Sequence, residues 1–164
     1  MANFDPKKVS TLDWVLIGAG GLAFIDSFLP WYTASFNIAG FVSGSQSVSA
    51  WGVGFAAWFS VLLLVASAAL VLGKAADVNV ALPIPTPLAT LGASALALLL
   101  ILLRWVTLPS NTGPGASSGA GFGLYLGLLC ALAAGGASFV AFRAAGGDFR
   151  QLRRGPGSSQ PPTA

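Results

Sequence analysis

Apolar residues fall into four long runs, separated by segments rich in glycine, serine and proline. The runs are Trp14–Trp31, Trp51–Gly73, Leu88–Leu108 and Gly121–Phe142. At a helical rise of about 1.5 Å per residue, each run is roughly 27 to 35 Å long, which matches a hydrocarbon core of about 30 Å. Because a backbone in lipid must satisfy its own hydrogen bonds, the pattern predicts four transmembrane helices.

Polar residues and prolines mark the predicted helix ends. Ser10 stands three residues before Asp13, which predicts a capping box at the start of the first helix. Pro30 is expected to end that helix. Before the third helix, Thr86 is the predicted N-cap and Pro87 the first helical residue, where a missing N–H does no harm.

The two loops on the predicted outer side differ in pattern. Between Thr33 and Ile38 polar and apolar residues alternate, which permits a short β-hairpin in the first outer loop. Segment 109–120 consists of turn-forming residues and is expected to be irregular. The predicted fold class is therefore an all-α membrane protein, a four-transmembrane-helix bundle to which that hairpin is the one permitted addition.

The amino-acid composition mainly excludes a soluble domain and several kinds of catalytic and metal site. Charged residues make up 8% of the 164 residues and hydrophobic residues 55%, whereas soluble domains carry about 25% charged residues. Histidine and glutamate are absent, and Cys130 is the only cysteine. Zinc sites, haem ligation by histidine and serine–histidine catalysis therefore lack their residues. We expect no enzyme, no metal and no cofactor, with Cys130 as a small buried side chain.

The positions of lysine and arginine predict the orientation in the membrane. Of eight such residues, seven lie in segments 1–13, 74–87 and 143–164, and none lies in the two outer loops. The positive-inside rule then places both termini in the cytoplasm and predicts a multi-pass protein of the plasma membrane. No basic face carries interleaved aromatic residues, so nucleic acid is not an expected partner.

The chain accordingly divides into three parts. Residues 1–13 are the predicted cytoplasmic N-terminal tail, 14–143 the transmembrane domain and 144–164 a flexible cytoplasmic tail, because the last segment is rich in glycine and proline. A basic cluster follows the fourth helix. A role in setting the membrane orientation of the chain explains this cluster, and binding of anionic lipid or of a partner protein is the alternative. Its members are Arg143, Arg150, Arg153 and Arg154.

Small residues recur at every fourth position near the fourth run and predict a helix-packing ridge. Such a ridge lets another backbone approach closely, which helps helices associate in lipid. The third run offers a partner ridge inside one molecule, and a seam between two copies is the alternative. The ridge consists of Gly119, Gly123, Gly127, Ala131 and Gly135.

Asp26 and Arg104 are the two charges inside the apolar runs. An unpaired charge there costs about 2.5 to 3.5 kcal/mol even on the lenient insertion scale. Both lie about 6 to 7.5 Å inward from the predicted outer ends, so their opposite charges suggest an intramembrane charge pair. Independent snorkelling of each side chain to the interface and a transported-ion or ligand site are the alternatives.

Three short stretches carry a family resemblance: Asp26-Ser-Phe-Leu-Pro-Trp-Tyr32, Trp51-Gly52 and Arg104-Trp-Val-Thr-Leu-Pro109. In this order they resemble small four-helix integral membrane proteins of high-GC bacteria, mostly without an assigned function. The resemblance covers about residues 10 to 145 and implies no active-site residue. Claudin-like proteins share four spans and a structured first outer loop, but their paired loop cysteines are missing, so that likeness concerns architecture alone.

Two classes of function fit the sequence. The first is a non-catalytic membrane scaffold or accessory subunit of the cell envelope, which sits in the lipid bilayer and meets a membrane protein partner or a second copy of itself. The alternative is a small transporter or channel that uses Asp26 and Arg104. Small multidrug exporters, which also have four helices, use a glutamate in the first span that is absent here.

Overall fold

The computed structural model describes residues 9–38, 41–76, 78 and 84–147. Predictions that concern Lys7 and Lys8, or the tail and its arginines from residue 148 onward, fall outside these residues. The helices are α1 (Thr11–Asp26), α2 (Ala50–Val53), α3 (Phe55–Ala75), α4 (Thr86–Thr107) and α5 (Phe122–Ala144), and the strands are β1 (Pro30–Ile38), β2 (Val42–Ser49), β3 (Asn111–Gly113) and β4 (Ala116–Ala120).

The predicted all-α fold class is wrong, because the two loops predicted to lie outside form a four-stranded antiparallel sheet. The strand order is β2-β1-β4-β3. The hairpin of β1 and β2 is present and runs from Pro30 opposite Ser49 to Ile38 opposite Val42. The fold is therefore a helical membrane bundle that carries a β-sheet at one end.

Segment 109–120, predicted to be irregular, forms the second hairpin of this sheet. Strand β4 pairs with β1 from Tyr32 opposite Ala120 to Phe36 opposite Ala116. The turn residues favour the hairpin instead of preventing it: Gly115 has a φ of 84°, and its carbonyl accepts a hydrogen bond from the backbone N–H of Asn37. A glycine adopts such a φ at little cost.

The four long helices form a closed ring. Helix α1 packs between α3 and α5, and α4 packs between the same two helices on the opposite side. Helices α1 and α4 therefore occupy diagonal corners. Helices α3, α4 and α5, of 21, 22 and 23 residues, are long and apolar enough to cross a membrane. The chain is thus a membrane protein, and α1, with 16 residues, is shorter than the other three.

Side-chain size is distributed as expected for a bundle in lipid. The interior of the helix bundle is lined largely by small residues such as Ala23, Ala57 and Ala131, which are fully buried. Large apolar residues such as Leu99 and Leu129 point outward. Since lipid is as apolar as leucine, close packing of small residues helps hold such helices together.

The local helix-end predictions are confirmed in part. Ser10 and Asp13 form the capping box, in which the N–H of Asp13 donates to Ser10 Oγ at 3.2 Å. Helix α1, however, ends at Asp26, before Pro30, which begins β1. Pro85, rather than Thr86, is the N-cap of α4.

Candidate functional site

Asp26 closes α1 at the sheet end of the bundle and is fully buried. Neither carboxylate oxygen has a hydrogen-bond partner among the described residues. Its side chain faces α5, since a Cβ built at Gly127 would lie 3.0 Å from Oδ2 of Asp26. Burial of an acid without a partner is costly, so this position is a candidate site.

Trp31 fills the space beside Asp26 and fixes the sheet to the helices. Its side chain is fully buried although the residue belongs to β1. The indole Nε1 donates a hydrogen bond to the backbone oxygen of Asp26 at 3.1 Å. A Cβ built at Gly123 would lie 2.6 Å from Cδ1 of Trp31, and one at Gly127 would lie 2.8 Å from Cζ2. The two glycines therefore form a socket for the indole.

The residues of the predicted packing ridge lie in different surroundings in the structure. Gly119 lies in β4 and not on a helix, so the ridge is wrong at its first member. Gly123 and Gly127 receive Trp31 rather than another helix backbone. Ala131 is fully buried, and Gly135 has nothing within 4 Å of where a Cβ would be.

Arg104 lies in the last turn of α4 and faces the break between α2 and α3. A Cβ built at Gly54 would lie 3.8 Å from Cζ of Arg104. Nε of Arg104 is buried and has no hydrogen-bond partner in the described part of the chain. The guanidinium therefore borders a small cavity of about 120 Å³, which is also lined by Tyr32 and Val53.

The structure does not bring the predicted charge pair together. Both oxygens of Asp26 lack a hydrogen-bond partner, so Arg104 does not bind them. The physical reason is the ring order of the helices: α1 and α4 are diagonal, and each packs against α3 and α5 instead. The predicted match in depth gave no information about which helices are neighbours.

The sheet presents an open groove with no charge. Ser35 and Ser117 lie opposite each other on β1 and β4, with their Oγ atoms 2.7 Å apart. They line a groove of about 590 Å³ together with Ser43, Ser45 and Thr112. Its hydroxyl groups can donate and accept hydrogen bonds.

The end of the β1–β2 hairpin is apolar and exposed. Phe41 is 92% exposed, Ile38 63% and Val42 55%. The eight residue steps from Pro30 to Ile38, at about 3.3 Å each, place this end roughly 26 Å along the strand from Pro30. An exposed apolar cluster of this kind is typical of an interaction surface.

No group of three His, Cys, Asp or Glu side chains that could hold a metal occurs among the described residues. Cys130 is free and buried, as expected. A second cavity of about 360 Å³, at the opposite end of the bundle, is bordered by Asp13 and Lys74.

Sequence reasoning missed Trp31, Gly54 and Tyr32. Each lies at a helix end or strand start, where local patterns say little about long-range contacts. The available signal was the pair Gly123 and Gly127, whose spacing indicates a close approach without showing what approaches.

No protein-family model, curated protein or solved structure significantly matches this chain. The function must therefore be argued from the buried charges, the sheet and its anchoring in the helices.

Proposed function

We propose that the protein is a non-catalytic integral membrane scaffold or accessory subunit of the cell envelope, which docks a partner protein on its β-sheet. One observation carries this proposal. Both loops on one side of the helices form a single uncharged sheet, and the end of its longer hairpin exposes Phe41, Ile38 and Val42.

The sheet is held firmly to the bundle, which favours a role in recognition. Trp31 is buried in its socket, and Trp51 Nε1 donates a hydrogen bond to Ser27 Oγ at 3.1 Å. The backbone N–H of Ala50 donates to the carbonyl of Ser27 at 3.1 Å. A surface that is ordered before binding loses less conformational freedom on association, so more of its contact energy remains as affinity.

The chemistry of the sheet favours a neutral partner with a strand of its own. Strand β2 is an edge of the sheet and contains neither a charge nor a proline. Such an edge has unpaired backbone groups that can accept a further strand. The exposed apolar end of the hairpin would supply hydrophobic contacts beside this strand.

We also propose that α1 crosses the membrane with the other three long helices, so that both termini lie in the cytoplasm of a plasma-membrane protein. Helix α1 packs along α3 and α5, which are candidate spans. Its 16 residues reach about 24 Å, and local thinning of the bilayer accommodates a short helix at modest cost. The charge bias of the loops supports this orientation.

Reporter fusions test the orientation. Fusions at Ser45 and Ala116, within the sheet, are expected to report an outer location, and fusions at Ala76 and Ala164 an inner one. A reporter active only in the envelope and one active only in the cytoplasm give complementary signals. The orientation is refuted if the fusions at Ser45 and Ala116 report the cytoplasm.

Photo-crosslinking in the native host tests the docking surface. A photoreactive residue at Phe41 or Ser45 is expected to give one discrete protein adduct, because both side chains are exposed on the sheet. The matched control is Val140, which is exposed on α5 and faces lipid in the proposed topology. The docking proposal fails if the positions on the sheet give no more adduct than Val140.

A transporter is the second candidate, and the unpartnered carboxylate of Asp26 favours it. Buried ionisable residues within membrane helices often mark ion or substrate pathways. A liposome flux assay separates the two candidates. Flux of an ion or cationic dye that Asp26→Asn abolishes, without loss of thermal stability, would support transport over docking.

A further inference from the structure

The cavity beside Arg104 lies where α4, the α2–α3 break and the sheet meet. It has a volume of about 120 Å³ and is lined by Tyr32, Val48, Gly52, Val53, Leu108 and Pro109 in addition to Arg104. The Nε atom of Arg104 is buried and has no hydrogen-bond partner among the described residues. Arginine retains its charge in proteins, so the cavity is positively charged.

A second positive feature lies beside Arg104, since a Cβ built at Gly54 would be 3.8 Å from its Cζ. Gly54, with a φ of 138°, separates α2 from α3 and is the N-cap of α3, which has no side-chain cap. Backbone N–H groups at the start of a helix carry partial positive charge and favour anions. Arg104 lies in the last turn of α4, whose carbonyl groups offset only part of its charge.

The aromatic residues near Arg104 favour a position at the depth of lipid headgroups. The adjacent Trp105 and the facing Tyr125 form an aromatic pair, with ring centroids 6.1 Å apart. Tryptophan and tyrosine are enriched at the membrane–water interface. The positive charge of Arg104 is therefore close to the layer in which phospholipids carry their phosphate groups.

We propose that Arg104 binds a phosphate group in this cavity. The planar guanidinium can form two parallel hydrogen bonds to phosphate oxygens, which a lysine cannot. Drug-sized ligands occupy pockets of about 300 to 1,000 Å³, so a cavity of about 120 Å³ suits a headgroup phosphate or free phosphate better than a drug-sized molecule. The site is independent of partner docking and of membrane orientation, since both leaflets contain phospholipids.

Thermal unfolding of delipidated protein in a neutral detergent tests the site with three probes. These are phosphatidylglycerol, inorganic phosphate and diacylglycerol, which has no phosphate. Phosphatidylglycerol is expected to raise the unfolding temperature of the wild type, and Arg104→Gln to weaken this binding at least tenfold. The control Arg143→Gln, which removes an exposed arginine stacked on Phe139, should bind as the wild type does.

The probes also identify the source of the phosphate. Stabilisation by inorganic phosphate that depends on Arg104 assigns the site to a free anion, and stabilisation by phosphatidylglycerol alone assigns it to a lipid headgroup. The proposal is overturned if diacylglycerol stabilises equally, if Arg104→Gln responds as strongly as the wild type, or if no probe stabilises the wild type.

Arginine modification of the wild type keeps the proposal testable if Arg104→Gln does not fold. Phenylglyoxal reacts with accessible guanidinium groups, and mass spectrometry separates the peptides of Arg104 and Arg143. A bound phosphate should slow modification of Arg104 at least tenfold while leaving Arg143 unchanged. Equal modification of Arg104 with and without both phosphate probes would contradict the site.

Discussion

Replacing Gly127 with leucine is expected to lower the thermal stability of the protein strongly and to detach the sheet from the helices. Even the Cβ atom would lie 2.8 Å from Cζ2 of Trp31 and 3.0 Å from Oδ2 of Asp26. Overpacking of a dense core typically costs about 1 to 3 kcal/mol, and a full leucine side chain at these distances places the effect at the upper end.

The matched control for this variant is Gly135→Leu on the same helix. A Cβ at Gly135 meets nothing within 4 Å, and leucine favours helix over glycine by about 1 kcal/mol. Thermal unfolding in detergent should therefore show a large loss for Gly127→Leu and little change for Gly135→Leu. Equal unfolding temperatures for the two variants would remove the argument that Gly127 forms a socket.

Removal of the indole is the second change with a large expected effect. Trp31→Ala empties a fully buried site and deletes the hydrogen bond to the backbone oxygen of Asp26. Replacement of a buried aromatic residue by alanine typically costs about 3 to 5 kcal/mol. Because Trp31 belongs to β1, the sheet should also become more susceptible to chymotrypsin at Phe36, which pairs with β2 and β4 in the intact sheet.

Trp14→Ala provides the comparison, because Trp14 is 50% exposed and belongs to α1. We expect it to leave both the unfolding temperature and the chymotrypsin pattern nearly unchanged. Trp31→Phe should recover part of the stability, since it keeps aromatic volume but not the N–H donor. If Trp31→Ala behaves like Trp14→Ala, the indole does not anchor the sheet.

Local signals in the sequence predicted the helical part of this fold well. The apolar runs predicted where each long helix lies, because the length of a run and its hydropathy are properties of neighbouring residues. Ser10 and Asp13 form the predicted capping box for the same reason, since they are three residues apart.

Long-range pairing explains why the sheet was only half predicted. The first hairpin joins segments close in sequence, and the alternation between Thr33 and Ile38 indicated it. Strand β4, by contrast, pairs residues 116–120 with residues 32–36 of β1. Its glycine and serine residues resemble a loop, and only the presence of β1 beside them favours a strand.

The candidate site shows the same limit. The apolar spans identified Asp26 and Arg104 as unusual charges. In the described residues both carboxylate oxygens of Asp26 and the Nε atom of Arg104 are buried without a hydrogen-bond partner. Whether two helices are neighbours depends on how all four helices pack. The identity of Asp26 or Arg104 carries no information about that packing. The sequence therefore predicted which residues are exceptional but not what each of them contacts.

The two loops predicted to lie outside form one sheet, and this sheet is the proposed docking surface. Disulfide formation between cysteines at Ser35 and Ser117, in a Cys130→Ala background, measures this directly. The two residues are cross-strand partners, and their Oγ atoms lie 2.7 Å apart, so cysteines there are close enough to bond.

The control pairs cysteines at Ser45 and Ser117, which lie on β2 and β4 with β1 between them. Two strand spacings of about 4.8 Å separate those positions, too far for a disulfide. After mild oxidation of the purified protein, we predict an intramolecular disulfide for Ser35→Cys with Ser117→Cys and none for the control. Absence of the first disulfide, or equal yield in both pairs, would contradict a single sheet built from the two loops.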